Sequence, residues 1–422
     1  MSHPEPNSSK LPQAQESEAQ PPVRRLPGSI WALGLTSMFM DTSSELVHSL
    51  LPLFMSSVLG VGMVAIGLIE GVAESIAMVT KVFSGALSDR LRRRKPLVVL
   101  GYGLAALTKP IFPLAGSISW VAAARFTDRV GKGIRGAPRD ALIADITPAQ
   151  SRGAAYGLRQ ALDSVGAFVG PLLALLFMSW LASDIRAVLW VSVAPAFIAV
   201  ALLTFFVREP EHEHGDPSAD PSATKRISWS SARLLKQRYW SIVALASIFT
   251  LARFSEAFLV LRAQNVGLAM GYVPLIMVVM NVVYAGLAYP AGHASDRVSH
   301  RSLLLLGLVV LIAADFVLAF TASTETLLIG AALWGAHMAL TQGLFSKLIA
   351  DEAPADLRGT AFGVYNLVTG VFVLLASVIA GALWSEVGPK ATFLAGAAFA
   401  SAAALGVAMY LMRKSASSRS TR

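Results

Sequence analysis

The chain has 422 residues, of which 55% are hydrophobic and only 14% are charged. Its formal net charge is +9 and its mean hydropathy is +0.59. This balance excludes an ordinary soluble globular protein. The chain contains no cysteine, which also excludes disulfides and thiolate metal sites.

Residues 1–28 are rich in Pro, Ser, Gln and Glu and contain no apolar core, which predicts a disordered tail and not a signal peptide. Twelve apolar runs follow, each near the ~20 residues that a helix needs to cross a bilayer. The runs lie near residues 30–57, 62–86, 97–115, 118–143, 153–180, 185–207, 239–263, 269–292, 302–321, 325–349, 359–384 and 389–412.

The long break between the sixth and seventh runs divides the chain into two halves. Residues 208–238 are rich in Pro, Asp and Ser and are predicted to form a flexible linker. The sequence therefore predicts an all-α membrane protein with six-helix halves at 29–207 and 239–412. A basic tail, 413–422, ends the chain.

The two halves repeat one sequence. Leu142–Gly157 and Leu348–Gly363 are identical at ten of sixteen positions, at an offset of 206 residues. A second pair, Gly85–Arg90 and Gly292–Arg297, matches at an offset of 207. Two matches at nearly the same offset indicate an internal duplication. Duplicated helical halves with a site between them are typical of secondary transporters.

Basic residues predict the topology. They concentrate in the turn after the second run (Arg90 to Lys95), before the first run and after the last one, whereas the turns near 58–62 and 114–119 carry no charge. Under the positive-inside rule, both termini and the linker are expected to be cytoplasmic, in a protein of the cell membrane. The basic surplus is thereby explained without a nucleic-acid partner.

The turn Gly85-x-x-x-Asp89-Arg90 resembles the cytoplasmic signature of the major facilitator superfamily, and Gly292-x-x-x-Asp296-Arg297 resembles its second copy. The resemblance implies two six-helix halves that rock about a central site. It also implies a cytoplasmic gate formed by Gly85, Asp89, Arg90, Asp296 and Arg297. An Asp beside arginines could form an ionic link that breaks when the halves move.

Two further segments are similar to signatures of the same family. Arg125 to Gly133 resembles its membrane-embedded arginine motif, with Arg129 in place of the first Gly. Gly157, Gly166, Gly170 and Pro171 follow the spacing found in its exporters, the antiporter branch, although Ala174 and Leu175 replace the terminal glycine pair. The Gly166-x-x-x-Gly170 pair also predicts close packing of the fifth helix against a neighbour.

Charged residues inside the apolar runs are the candidate functional groups, because a lone charge at mid-membrane costs roughly 3 kcal/mol on insertion scales. They should line a pathway or pair with one another, and helical spacing places several of them on common faces. The candidates are Asp41, Glu45, His48, Glu70, Glu74, Arg125, Asp128, Arg129, Lys132, Arg159, Asp163, Arg253 and Glu256. Lys132 with Asp128, and Arg159 with Asp163, are the expected local pairs.

These observations predict a secondary transporter that exports a small molecule or ion in exchange for protons, such as a resistance efflux pump. Asp41, Glu45, Glu70 and Glu74 are the candidate proton carriers; Arg125, Arg129 and Lys132 would balance charge or bind an anion. The substrate stays open among a metal cation, an organic or inorganic anion and a toxic compound. We expect no resident metal or other cofactor, and we expect the protein to be a monomer.

Three alternatives remain at this stage. The first is uptake by symport within the same superfamily. The second is a membrane sensor that does not transport, which would need an ordered signalling domain. The third is a membrane enzyme, which would need a catalytic constellation that the sequence does not display, so we expect no enzymatic activity. No nucleotide-binding motif is evident, so an ion gradient is the expected energy source.

Overall fold

The computed structural model describes residues 26–91, 93–209, 233–341, 343–354 and 357–419, with the backbone alone at 89–90, 149, 295–297 and 410–419. Residues 1–25 of the predicted tail, 210–232 of the predicted linker and 420–422 of the basic tail lie outside this description. The regular elements of the described residues are all helices.

The first half contains six helical elements. They are α1 (Gly28–Leu53, continued by a π-helical turn, Phe54–Val58), α2 (Met63–Leu91), α3 (Lys95–Thr108, continued by Ile111–Leu114), α4 (Ile118–Ile146), α5 (Arg152–Trp180) and α6 (Ile185–Val191, continued by Val193–Phe206).

The second half contains six more. They are α7 (Gln237–Ala252, continued by Ala257–Asn265), α8 (Leu275–Arg297), α9 (His300–Phe320), α10 (Thr324–Thr341, continued by Leu344–Glu352), α11 (Arg358–Glu386) and α12 (Pro389–Arg419). The predicted twelve-helix, all-α membrane fold is confirmed. Ten of these elements are long and apolar enough to span a membrane; α1 and α4 are the exceptions, because polar and charged residues interrupt them.

Glycines bring helices of the first half into close contact. A Cβ atom on Gly166 would lie 2.5 Å from the Met38 carbonyl oxygen, and one on Gly170 would lie 2.6 Å from the Thr42 oxygen. Only hydrogen fits at these positions, so α5 packs directly on the backbone of α1. The close approach expected from the Gly166-x-x-x-Gly170 spacing is present, and α5 stays continuous through Pro171.

Equivalent helices pack in equivalent ways in the two halves. Gly101 of α3 and Gly131 of α4 approach backbone to backbone, since a Cβ added to either residue would lie within 2.7 Å of the other residue's oxygen. In the second half, 206 residues later, Gly307 of α9 faces His337 of α10, and His337 Nδ1 donates to the Gly307 oxygen at 2.8 Å. The duplication seen in the sequence is therefore also a duplication of packing.

The helix α7 breaks where it borders the space between the halves. Residues Arg253 to Glu256 leave the helical path, and the second segment starts again at Ala257. Ser255 caps the new segment, since its hydroxyl oxygen accepts from the Ala257 amide at 3.2 Å. The cap satisfies one of the amide groups that a helix start leaves free. The break therefore places Arg253 and Glu256 on non-helical backbone in the membrane interior.

Candidate functional site

A cavity of about 570 Å³ lies between the two halves. The first half lines it with charged side chains: Glu45, His48, Glu74, Lys81, Arg129 and Lys132. The second half lines it with aromatic residues and with the broken segment of α7: Phe249, Arg253, Phe254, Glu256, Trp334 and Tyr365. One wall is thus charged, and the facing wall combines four aromatic rings with polar side chains, among them Thr250, Ser346, Asn366 and Thr369.

The cavity extends toward one end of the bundle. From Glu74 through Met78 to Lys81, its lining follows α2 toward the C-terminal end of that helix. Along α11 it runs from Val373 back to Tyr365, near the N-terminal end. Both of these helix ends lie on the side that carries the basic turn after α2.

Contacts between the halves close the opposite end. Gln264 of α7 accepts from Ser56 Oγ at 3.0 Å and donates to Ser57 Oγ at 2.8 Å, which joins α7 to the end of α1. Nearby, Gly381 of α11 packs on α2, where a Cβ added to this glycine would lie 2.5 Å from the Met63 oxygen. Gly67 likewise meets the Ser377 backbone. The arrangement is a central site with one closed and one accessible side.

The basic residues of α4 form two successive ion pairs with α2. Arg125 Nη2 lies 2.6 Å from Glu70 Oε2, and both side chains are at most 1% exposed. One turn farther along, Arg129 Nη1 lies 3.2 Å from Glu74 Oε1, and Glu74 is 32% exposed. The first pair is sealed inside the half, whereas the second borders the cavity.

Asp128 is held by a residue that sequence reading did not single out. Lys109, in the break of α3, donates to Asp128 Oδ1 at 2.9 Å and to Ser44 Oγ at 3.1 Å. The expected pairing of Asp128 with Lys132 is wrong. Spacing on one helix face suggested it, but the ammonium group of Lys109 reaches Asp128 from a neighbouring helix, and Lys132 points into the cavity.

Two acidic residues of α1 have different surroundings. Glu45 lines the cavity, and its Oε2 lies 3.4 Å from His48 Nδ1, so both predicted residues meet on one face of the helix. Asp41 faces α4, with Oδ1 3.9 Å from Arg135 Nη2, and its side chain is 27% exposed. Of the two carboxylates, only Glu45 is part of the cavity wall among the described lining residues.

In α5, the expected local pair between Arg159 and Asp163 is present at 2.8 Å. Arg159 also approaches Asp140 of α4, at 3.9 Å. Arg139 of α4 donates to Ser37 Oγ at 2.6 Å. These contacts lie outside the lining of the central cavity: Arg139 links α4 to α1, Arg159 approaches α4, and Asp163 pairs within α5.

Several charges at the cavity have no ion-pair partner among the described residues: Lys81, Lys132, Arg253 and Glu256. Lys81 and Lys132 are exposed on the charged wall, where Lys81 lies over Gly136. On the opposite wall, the Arg253 guanidinium lies 5.7 Å from the centre of the Phe249 ring. Over the whole lining, four cations (Lys81, Arg129, Lys132 and Arg253) face three acids (Glu45, Glu74 and Glu256), so the cavity carries a net positive charge even when His48 is neutral.

The predicted gate falls largely outside the description. The side chains of Asp89, Arg90, Asp296 and Arg297 are not described, so their ionic link stays a prediction. Gly85 faces α4, where a Cβ would lie 3.4 Å from the Cβ of Ala137. Gly157 has open space where a Cβ would lie, so packing does not require glycine there as it does at Gly166 and Gly170.

Three features of the structure are absent from the sequence predictions. The aromatic wall is one, because Phe249, Phe254, Trp334 and Tyr365 are ordinary residues of apolar runs and nothing in the sequence marks them. The other two are Lys109 and Asp315, which lie alone inside the predicted runs 97–115 and 302–321. A search for every ionisable residue in a membrane run would have found both.

Metal-binding chemistry finds little support in this arrangement. Within the part of the chain that the structure describes, no group of three or more His, Asp or Glu side chains is placed to hold a metal ion. The pair of Glu45 and His48 offers two ligands at the cavity, fewer than the usual set for a bound metal.

Comparison with known proteins agrees with the fold. The model of the family described as Major Facilitator Superfamily matches residues 33–263 and 257–422. An uncharacterised MFS-type transporter of Methanocaldococcus jannaschii is 33% identical over 89% of this chain and 93% of its own length. A multidrug resistance protein of Edwardsiella ictaluri is 24% identical over 73% of this chain and 75% of its own length. The solved structure of a nucleoside transporter, NupG, superposes with a TM-score of 0.73 at 12% identity and covers 90% of this chain and 99% of that one.

Proposed function

The chain belongs to the Major Facilitator Superfamily of membrane transporters, and we propose that it exports organic anions with an aromatic or apolar body in exchange for protons. The substrate would bind in the central cavity, and the halves would rock to open that cavity to either side in turn. Membership of a transporter family favours this activity over catalysis or sensing.

The cavity is proposed to face the cytoplasm in this conformation. The positive-inside rule places the basic turn after α2 on the cytoplasmic side, and the cavity extends toward that end. The hydrogen bonds of Gln264 to Ser56 and Ser57 would then close the extracellular side. An exporter in this state would be ready to load substrate from the cell.

The free charges of the cavity are the observation that carries the substrate class. Lys81, Lys132 and Arg253 have no carboxylate partner among the described residues, so a bound anion would neutralise charge that the protein leaves uncompensated. The facing wall of Phe249, Phe254, Trp334 and Tyr365 suits a flat apolar body. Metal cations fit less well, because they would meet this positive field.

Proton exchange is proposed for Glu74 and Glu45. Both border the cavity, and each has a cationic or titratable partner, Arg129 and His48. Exchange requires that proton and substrate occupy the cavity in turn, so the substrate would bind while the Glu74–Arg129 ion pair is intact, and Glu74 would carry the proton on the return step. Glu70 is sealed against Arg125 and has no route to the cavity in this conformation. Asp41 is a secondary candidate for proton exchange.

Two observations favour export of the substrate over its uptake. The Gly157, Gly166, Gly170 and Pro171 spacing is similar to the signature of the exporters, and in this chain Gly166 and Gly170 seat α5 on α1. One relative is named a multidrug resistance protein. Efflux that confers resistance is therefore the proposed physiological role, and uptake by symport is its competitor.

Ligand binding tests the substrate class. Purified protein would be heated in the presence of matched compounds that share one aromatic ring but carry either a carboxylate or an ammonium group. The carboxylates should raise the melting temperature and the ammonium compounds should not, since only a bound ligand stabilises the folded state. Lys132→Gln should weaken this effect severalfold, while Lys347→Gln, an exposed lysine outside the cavity lining, should leave it unchanged. Stabilisation by the ammonium series alone would refute an anionic substrate.

A further inference from the structure

The second half contains a carboxyl group in α9 that the proposed transport site does not use. Asp315 is fully buried, and neither of its side-chain oxygens has a hydrogen-bond partner among the described residues. It lies close to Gly396 of α12, where an added Cβ would be 2.7 Å from Asp315 Oδ2. An ionised carboxylate without a partner is prohibitively costly in such a place, so the side chain holds a proton here.

The internal duplication indicates what faces Asp315. It lies 206 residues after Lys109, and Trp334 lies 206 residues after Asp128. In the first half these two positions form the buried ion pair between α3 and α4, at 2.9 Å. In the second half α9 and α10 pack in the same way, and Trp334 Nε1 is also buried without an acceptor among the described residues. Asp315 and Trp334 thus occupy the positions equivalent to a facing pair of the first half, and neither polar group has a hydrogen-bond partner among the described residues.

Phe254 both lines the cavity and lies close to Asp315. Phe254 lines the cavity, and its Cε1 would lie 3.0 Å from the same added Cβ of Gly396 that Asp315 Oδ2 approaches. Phe254 belongs to the break of α7, where the backbone is not held by helical hydrogen bonds. Its ring also packs on Trp334, with centroids 5.4 Å apart. Movement of this segment would expose Asp315 to the cavity.

Other charged groups on the surrounding helices are engaged elsewhere or face the cavity. Arg262 of α7 donates to the Leu318 and Thr321 carbonyl oxygens at the end of α9, and Lys390 of α12 lies over the Phe320 ring. His337 of α10 donates to Gly307, two turns away. Arg253 and Glu256 line the cavity on the other side of Phe254. None of these groups forms an ion pair with Asp315 in the described structure.

We propose that Asp315 is a second proton-binding site, occluded behind Phe254 and coupled to the cavity wall through Trp334. In the conformation seen here it holds its proton. When the α7 break moves Phe254, Asp315 gives the proton to cavity water, and the resulting carboxylate accepts a hydrogen bond from Trp334 Nε1. When Asp315 binds a proton again, this hydrogen bond breaks and the Trp334 side chain returns to its position in the cavity wall. Proton binding in the second half thus adjusts the surface that would contact the substrate.

Infrared difference spectroscopy tests the site without any substrate, so its result is independent of the proposed export. The protein would be placed in lipid nanodiscs, with aspartate labelled by carbon-13 at the side-chain carboxyl. A protonated-carboxyl band that shifts with this label should be present at neutral pH and should be lost in Asp315→Asn. In Asp315→Glu the band should reappear at a position that the label does not shift.

Hydrogen–deuterium exchange then tests the occlusion. The Asp315 band should move slowly in heavy water in the wild type, and at least tenfold faster in Phe254→Ala. Leu318→Ala, which truncates a buried side chain one turn after Asp315 without changing Phe254, is the control for loosened packing and should leave the rate near that of the wild type. A label-sensitive band that survives in Asp315→Asn, or no such band at all in the wild type, would overturn the assignment. Exchange equally fast in wild type and Phe254→Ala would overturn the gating by Phe254.

Discussion

Arg125 and Glu70 form a sealed ion pair, at 2.6 Å, one helical turn from the pair of Arg129 and Glu74 that borders the cavity at 3.2 Å. The same two helices thus supply two pairs of the same chemistry in different surroundings. The sealed pair should act as structure and the bordering pair as part of transport. This contrast can be tested by two matched substitutions.

Glu70→Gln should destabilise the protein strongly, because it leaves the Arg125 guanidinium buried without a counter-charge. Loss of one partner of a buried pair typically costs about 3–5 kcal/mol. Glu74→Gln should cost less, about 1 kcal/mol, because Glu74 is partly exposed and the buried Arg129 keeps Asp128 at 3.9 Å. It should nevertheless abolish proton-coupled flux, since an amide cannot carry a proton. Thermal unfolding and flux in proteoliposomes separate the two. Equal losses of stability would contradict the assignment.

The pair of Lys109 and Asp128 should behave as a closed unit. Lys109→Met alone should cost about 3–5 kcal/mol, because Asp128 loses its main counter-charge in a site that is at most 4% exposed. Adding Asp128→Leu should recover most of that loss, because the double variant buries two apolar groups instead of one unpaired charge. A double-mutant cycle on melting temperatures measures the coupling. Losses that simply add would show that the two residues do not act together.

Gly170→Val should separate α5 from α1. Its side chain would meet the Thr42 oxygen and the Glu45 Cβ, at 2.6 and 2.8 Å from the added Cβ, and backbone atoms cannot yield cheaply. We expect a loss of at least about 1–3 kcal/mol, as for overpacked cores. Gly157→Val is the matched control, because the added Cβ would have no neighbour within 4 Å. Comparable melting temperatures for the two variants would rule out the close-packing role of Gly170.

Gln264→Ala should loosen the closed end, because Gln264 supplies hydrogen bonds to Ser56 and Ser57 across the halves. Each bond contributes about 0.5–1.5 kcal/mol, enough to change the populations of two conformations severalfold. Spin labels on Leu59→Cys and Leu268→Cys can report this, since the chain has no cysteine of its own. In Gln264→Ala, the fraction of molecules with a longer distance between the two labels should increase. In the control Gln150→Ala it should not. An unchanged distribution would assign the closure to packing alone.

The helices can be located from the sequence because spanning length and apolar composition are local properties. Close packing at Gly166 and Gly170 is also predictable, since small residues four apart let two helix backbones approach each other. The partner of Asp128 cannot be predicted in this way. Helical spacing identifies neighbours on the same helix only, whereas Lys109 belongs to a different helix. The break of α7 at Arg253 to Glu256 contains neither Gly nor Pro, so no helix-breaking residue in the sequence indicates it. The sequence also does not distinguish buried ion pairs from charges that line the cavity, because that difference depends on where the cavity lies in the folded protein.

Proton-coupled export of an organic anion is tested most directly in everted membrane vesicles with a preset pH gradient, acidic inside. Aromatic carboxylates added outside should discharge the gradient through the wild-type protein, and through a Lys347→Gln control, but not through Glu74→Gln. Matched aromatic compounds with a quaternary ammonium group, which cannot cross the membrane as a neutral base, should leave the gradient intact. Accumulation of the carboxylate by intact cells that collapses with a protonophore would contradict the account, because it would show uptake in place of export.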